Sequence, residues 1–144
     1  MFDIIQLMLT RNDLKKLSQL RLKEAKKLLI ARHYSGSYYL AGYVIECALK
    51  AYIARKTRKS EFPDIDAVKA SYTHNPENLI GAAGLKTQLN SKIKSEKSFQ
   101  VKWTTVIQWS EKSRYEIHTK KEAEDLLTAI EDPKGVLKWI QKYW

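Results

Sequence analysis

The feature that most constrains this chain is an apolar run at residues 37–56, SYYLAGYVIECALKAYIARK. Apolar side chains cover nearly every side of a helix built from these residues. This pattern is typical of a helix in the middle of a helical bundle. The run also contains small residues at Ala41, Gly42, Ala48 and Ala51, so we expect another helix to approach this helix closely.

Glu46 is the one acidic residue within this apolar run, and Lys50 lies one helical turn further on. A surface ion pair between Glu46 and Lys50 is one interpretation of this spacing. The alternative is an inward-facing Glu46 that orients Arg114, because a buried charge needs a partner.

Helical periodicity recurs in most of the remaining chain, and alternating strand-like patterns are hard to find. Gly and Pro together number 8, which disfavours long irregular regions. We therefore predict an all-α protein in one domain spanning residues 1–144, in which residues 1–10 form an apolar N-terminal extension. The long helices are predicted at residues 12–32, 37–56, 98–113 and 119–143.

Local signals indicate where the helices begin and end. Asn12 is a suitable N-cap for the first helix, and residues 33–36 are predicted to form the turn after it. Asn75 as N-cap, Pro76 at the first helical position and Gly84 at the end predict a short helix. A short polar helix is expected at residues 89–97, and a loop with one helical turn near residues 65–70 is expected before Tyr72.

The last long helix begins with a capping-box spacing, in which Glu122 follows Thr119 by three residues. Pro133 falls inside the apolar register, which continues on both sides of it. We predict a kink at Pro133, and a break at Asp132 after which Pro133 restarts the helix is the alternative.

Residues 99–118, FQVKWTTVIQWSEKSRYEIH, contain the principal candidate site. Phe99, Trp103 and Val106 lie on one helical face, and the same register extended further places Arg114 and His118 on that face. Arg offers a permanent cation with a planar fork of donors, and His titrates near neutral pH. One helical turn apart, the two side chains would reach the same phosphate group.

The formal net charge is +10, from 26 Lys and Arg against 16 Asp and Glu. This balance favours a polyanionic partner, with nucleic acid first, although a lysine-rich surface without such a partner gives the same total. The basic cluster expected to grip a nucleic-acid backbone consists of Arg55, Lys56, Arg58 and Lys59.

Cysteine and histidine usage excludes several kinds of site. Cys47 is the single cysteine, so no disulfide forms within the chain, which suits a reducing compartment. His33, His74 and His118 show no metal-ligand spacing, and we predict no metal and no cofactor. His74 precedes the short helix and is interpreted as a structural loop residue, with a direct catalytic role as the alternative.

The N-terminal stretch MFDIIQLML lacks a basic region and a cleavage site of the kind that secretory signals carry. It is also too short to span a bilayer. We therefore expect a cytoplasmic protein without a membrane segment.

Several of these segments together resemble one known family. They are RLKEAKKLL at residues 21–29, YYLAGYVIECALKAYI at 38–53, THNPENL at 73–79, WSEKSRY at 109–115 and LKWI at 137–140. In this order and spacing they resemble the HEPN domain over residues 20–144. The most specific part is Glu46 followed by Leu49, Lys50 and Ala51.

The resemblance implies an antiparallel bundle of four to five helices that forms a homodimer. Active members of the family are metal-independent ribonucleases, often toxins of toxin–antitoxin pairs, and a minimal nucleotidyltransferase is a common partner. Their catalytic motif is Arg, four to six residues, then His, at the dimer interface. Arg114 matches the Arg, and His118 follows after three residues.

Three functions are therefore considered. The first is a dimeric partner or nucleic-acid-binding module of a toxin–antitoxin system. The second is a metal-independent ribonuclease in which His118 is the acid/base group and Arg114 stabilises the phosphate charge, with Glu46 in support. The third is a domain that binds a nucleotide or another small ligand.

Overall fold

The computed structural model describes residues 9–58 and 69–144. Within these ranges the chain forms helices and no strand. The helices are α1 (Arg11–Ile30), α2 (Tyr34–Arg58), α3 (Pro76–Ala83), α4 (Lys86–Ser95), α5 (Lys97–Ile107), a 3-10 helix (Glu111–Tyr115), α6 (Lys120–Glu131) and α7 (Val136–Gln141).

Helix α2 is the centre of the fold. It packs against α1, α3, α6, α7 and the 3-10 helix. Its residues Ala41, Val44, Ile45, Ala48 and Leu49 are completely buried, because neighbours cover the helix on several sides. The predicted all-α bundle and the central position of the apolar run are confirmed.

The boundaries of α1 differ from the prediction. Thr10, and not Asn12, is the N-cap, and Thr10 and Asp13 form a reciprocal capping box. The turn after α1 is also shorter than expected. The N–H of His33 donates to the carbonyl of Leu28, and Arg32 takes the left-handed conformation with φ 65°. This closed turn lets α2 begin at Tyr34, so the prediction that residues 33–36 all form the turn is wrong.

Helices α3 and α4 follow their local signals. Asn75 caps α3 through a bond from the Asn78 N–H, Pro76 is the first helical residue, and Gly84 has φ 70°. All three assignments are confirmed. The polar helix predicted at residues 89–97 is present as α4 but begins at Lys86.

Helix α5 ends at Ile107, so the prediction that this helix reaches residue 113 is wrong. Ser110 has extended backbone angles and accepts a bond from the Lys112 N–H, which starts the separate 3-10 helix. A serine in this position competes with the helix for backbone donors. The interruption also removes the helical register that would have joined Arg114 to His118.

The indole of Trp109, just beyond α5, packs directly on Gly42 of α2. The residue is 2% exposed, and its Nε1–H donates to the carbonyl of Tyr39 at 3.2 Å. A Cβ atom at Gly42 would stand 1.9 Å from ring atom Cε2 of Trp109. The close approach expected at the small residues of α2 is therefore made at Gly42 by a side chain and not by a helix.

The C-terminal segment is not one kinked helix. Thr119 and Glu122 form the predicted capping box of α6, which is confirmed. Helix α6 then ends, because Asp132 is extended at φ −49° and ψ 140° in front of Pro133. Helix α7 begins only at Val136, so Pro133 does not restart it.

Some predictions lie outside the described residues. These are the apolar extension over residues 1–8, most of the helical turn near residues 65–70, and Lys59.

Candidate functional site

Arg114 lies on the 3-10 helix with an exposed side chain. Its guanidinium carbon is 5.0 Å from the centre of the Tyr115 ring, a cation–π contact. Tyr115 itself is 81% exposed. Arg114 therefore sits on the surface beside an exposed aromatic ring, and not in the core-facing stripe that Phe99 and Trp103 continue to occupy.

His118 lies beyond the 3-10 helix, in the extended segment before α6, and is held on several sides. Its ring stacks on Tyr38 with centroids 3.7 Å apart and planes at 17°. Its backbone N–H donates to the hydroxyl of Ser35 at 2.9 Å. Nδ1 is 3.1 Å from Glu122 Oε2, and Nε2 is 3.1 Å from Glu116 Oε1.

The surroundings of the His118 ring are acidic. Each carboxylate faces one ring nitrogen, and an ionised carboxylate only accepts hydrogen bonds. The pKa of Glu122 is lowered, first by the hydrogen bond from the Thr119 backbone and then by the bond from His118. A phosphate approaching this ring would meet the negative charges of Glu116 and Glu122.

Arg114 and His118 are not brought together in the way that the sequence register predicted. They belong to different elements, and within the described ranges no hydrogen bond or ion pair joins them. Their common role in catalysis stays a prediction.

Glu46 is buried, at 6% exposure, in the apolar surface of α2. Its Oε2 accepts from Lys50 Nζ at 3.2 Å, and its Oε1 lies 2.7 Å from Nδ1 of His74. The predicted Glu46–Lys50 pair is present, but its surface location is wrong. The alternative interpretation, in which Glu46 orients Arg114, is also wrong. In the described part of the chain the Glu46 carboxylate pairs with Lys50 and His74.

Tyr43 connects the His74 ring to two further aromatic side chains. The Tyr43 ring meets His74 edge-on with centroids 6.1 Å apart and Trp109 with centroids 5.0 Å apart. Its hydroxyl is 3.1 Å from that of Tyr39. Burial, the bond with Tyr39 and the charge of Glu46 raise the pKa of Tyr43 strongly, and Arg114 partly offsets this rise. The phenol therefore stays protonated as a donor.

The contact between His74 and Glu46 was missed at the sequence level. The available signals were a carboxylate in an otherwise apolar helix and a histidine immediately before a capped helix. Nothing in the spacing of 28 residues indicates that these two side chains meet.

Two of the predicted nucleic-acid contacts bind the chain's own carbonyl groups. Arg55 donates to Tyr143 O at 2.6 Å, and Lys56 donates to Ala83 O at 2.9 Å. Arg58 is the last residue of α2, and Lys59 lies outside the described residues. The binding of RNA by this basic cluster therefore stays a prediction.

A more open basic surface runs along α4 and into α5. Residues 86–102 contain five lysines and a single acidic residue, Glu96, which pairs with Lys92 at 2.9 Å. Lys86, Lys94 and Lys97 are exposed, and none of them forms an ion pair with an acidic residue in the described part of the chain.

We define the lysine groove as the depression of about 730 Å³ beside this surface. Its polar lining consists of Lys69, Thr73, Glu77, Asn78, Lys86 and Asn90.

The described ranges contain no cluster of three or more His, Cys, Asp or Glu residues that could hold a metal ion. The same ranges contain no helix with the length and apolar character needed to cross a membrane.

The chain was compared with known proteins. The family model described as the HEPN domain matches residues 12–143. Searches of curated proteins and of solved structures gave no match.

Proposed function

The chain belongs to the HEPN domain family, a family of nucleotide- or RNA-related modules, and from this premise we propose that it is a dimeric RNA-binding module of a toxin–antitoxin system. The basic surface along α4 and α5, with the lysine groove beside it, is the observation that carries this proposal. Five lysines against one acidic residue over residues 86–102 give a local excess of positive charge. Of these five lysines Lys86 lines the groove, together with Lys69 and the acidic Glu77. Asn78, Asn90 and Thr73 add uncharged hydrogen-bonding groups there.

Binding at this surface would depend mainly on phosphate contacts. Each lysine that neutralises a phosphate releases a condensed counterion, so affinity falls as salt rises. Exposed lysines without acidic partners suit this role, because no existing ion pair has to be broken first. Lys86, Lys94 and Lys97 meet this condition among the described residues.

Fluorescence anisotropy with labelled single-stranded RNA at several salt concentrations tests the proposal. Replacing Lys86, Lys94 and Lys97 together by Gln should weaken binding. Three lost phosphate contacts at about 0.7 each should reduce the slope of log affinity against log salt by about 2.

The matched control replaces three exposed lysines of α1, Lys16, Lys23 and Lys27, by Gln. This variant removes the same charge from another helix. Equal loss of binding in both triple variants would show a general charge effect and contradict a specific role of the lysines on α4 and α5.

HEPN domains often dimerise, and we propose that Tyr115 and Ile117 contribute to the dimer interface. They are 81% and 95% exposed, close together in sequence beside Arg114. Trp109, six residues before Tyr115, is buried and does not belong to this exposed surface. Light scattering should give a dimer that Ile117→Lys dissociates. Ile30→Lys, at a residue 82% exposed on α1, should leave the dimer intact.

A minimal nucleotidyltransferase is the proposed partner, on the basis of the family resemblance. The test is a neighbouring reading frame for such an enzyme, followed by co-expression and gel filtration of the two proteins. Separate elution of the two purified proteins would contradict the partnership without affecting RNA binding.

Metal-independent RNA cleavage through Arg114 and His118 is the second candidate. The exposed guanidinium of Arg114 favours it, whereas Glu116 and Glu122 on either side of His118 oppose the approach of a phosphate. Incubation of the purified protein with labelled RNA in EDTA tests for cleavage. A loss of cleavage in both Arg114→Ala and His118→Ala would support this pair.

A further inference from the structure

We propose that a groove between α1 and α6 is a docking site for a basic amphipathic helix of a partner protein. This depression, the α1–α6 groove, has a volume of about 380 Å³ and shares no lining residue with the lysine groove. The proposal does not depend on RNA binding. It gives the chain a second interaction surface, with a charge opposite to that of the lysines on α4 and α5.

The apolar part of the α1–α6 groove includes one strongly exposed side chain. Leu29 and Ile30 line the groove from α1, Leu127 from α6, and Pro133 from the segment that follows α6. Ile30 is 82% exposed, whereas Leu127 is 6% exposed and belongs to the core. An exposed isoleucine that adjoins further apolar lining offers an anchor point for the apolar face of a partner.

The charged part of the lining is acidic, although the whole chain has a net charge of +10. Glu124, Glu131 and Asp132 contribute three negative charges and Lys26 contributes one positive charge, which gives −2. Lys26 Nζ lies 2.7 Å from Glu131, and Lys102 of α5 lies 3.9 Å from Asp132. No ion pair joins Glu124 to another residue in the described part of the chain, so its charge is available to a partner.

Two helix C-termini add to the negative potential of the groove. Helix α1 ends at Ile30 and α6 ends at Glu131, and both residues line the groove. A helix C-terminus carries about half an elementary negative charge. Lys27 lies in the last turn of α1 but does not line the groove. Lys or Arg of a partner is therefore stabilised here and a phosphate is repelled, which favours a basic protein segment over nucleic acid.

The length of the groove suits about two turns of a helix. Its lining on α6 consists of Glu124, Leu127, Thr128 and Glu131, a span of seven positions that at about 1.5 Å per residue is about 10 Å long. A helix with apolar residues at i, i+3 or i+4 and i+7 places one apolar stripe along this length. Its flanking Lys or Arg would face Glu124 and Glu131. The half-exposed Lys26–Glu131 pair is weak enough to exchange partners.

The probe for this site is a fluorescein-labelled peptide of about 15 residues, built from Leu and Lys so that Leu recurs at helical spacing. Fluorescence anisotropy with the full-length protein measures its affinity. Wild-type protein should bind the peptide, and Ile30→Ser should weaken binding by about 10–100-fold, because the isoleucine anchor is lost. The matched control Val101→Ser, at a residue 66% exposed on α5, should bind as the wild type does.

A second pair of variants tests the contribution of charge. Glu124→Gln combined with Glu131→Gln should weaken peptide binding by about 2–10-fold, since two exposed ion pairs with the peptide are lost. The control combines Glu77→Gln with Asp125→Asn, at exposed acidic residues outside the groove, and should keep the wild-type affinity. Both double variants raise the net charge by two, so the difference between them reports the groove and not the overall charge.

Four results would overturn the proposal. The first is wild-type protein that fails to bind the peptide, and the second is Ile30→Ser that binds it as tightly as Val101→Ser. The third is equal affinity of the two double variants. The fourth is a dimer that Ile30→Ser dissociates in light scattering, which would assign the groove to a second copy of the chain. RNA binding by Ile30→Ser, measured in parallel, should equal that of the wild type, so these results leave the proposed RNA binding unaffected.

Discussion

The contact between Trp109 and Gly42 allows a quantitative prediction about folding. In Gly42→Ala the new Cβ would lie 1.9–2.4 Å from three ring atoms of Trp109. Real Cβ atoms do not approach that closely, so the indole must move. It has little freedom to do so, because Trp109 is 2% exposed and Tyr43 packs against it edge-on.

The magnitude follows from three contributions. Overpacking a core costs about 1–3 kcal/mol. Displacement of the indole weakens its bond to the Tyr39 carbonyl, which is a loss of about 0.5–1.5 kcal/mol. Ala in place of Gly inside a helix returns about 0.5–1 kcal/mol. At the middle of each range the net destabilisation is about 2 kcal/mol.

Urea denaturation followed by tryptophan fluorescence and by circular dichroism measures the change in the free energy of unfolding. Gly36→Ala is a matched control in the same helix, because its nearest heavy atom, in Leu28, lies at an ordinary 3.6 Å. This control should be unchanged or more stable by up to about 1 kcal/mol. Equal stability of the two variants would refute the packing of Trp109 on Gly42.

Three further predictions concern a cap, a carboxylate and the thiol. Thr119→Ala removes the N-cap of α6 and should lower the free energy of unfolding, measured by urea denaturation, by about 1 kcal/mol. The control Thr128→Ala, on the exposed side of α6, should have less effect. The pKa of Glu122 is lowered from 4.5 in the folded state, so its contribution to stability is present above that pH and is lost as pH falls through the folded-state pKa. Glu122→Gln should therefore make the melting temperature less sensitive to acid, and a melting profile identical to wild type would contradict this. Burial, and secondarily the charge of Glu46, raise the pKa of Cys47 to about 11. The thiol of the native protein should therefore react far more slowly with iodoacetamide at pH 8 than the thiol of the urea-unfolded protein, and mass spectrometry measures both rates.

The RNA-binding and cleavage proposals make different demands on the molecule. Binding depends on the summed charge of the basic surface along α4 and α5 and tolerates the loss of any single side chain. Cleavage, the second candidate, depends on Arg114 and His118, and one substitution at either residue should remove it. Variants at the two places therefore separate a binding module from an enzyme within the same RNA assays.

Several signals that act within one or two helical turns predict the structure correctly, whereas the N-cap at Asn12 and the turn over residues 33–36 do not. Asn75, Pro76 and Gly84 bound α3, and Thr119 with Glu122 starts α6, as predicted. The central position of α2 also follows from the sequence, because its apolar residues cover too many sides for an exposed helix. These features depend on bonds and sterics between residues that are neighbours along the chain.

The tertiary structure decided which side chains meet across the bundle. The apolar stripe of α5 predicts a continuous helix through Arg114, yet Trp109 packs on Gly42 and Ser110 starts a new element. The sequence likewise contains Glu46 and its need for a partner, but not the identity of that partner. His74 reaches it because the packing of α3 on α2 brings together residues 28 positions apart, and no local propensity encodes such a contact.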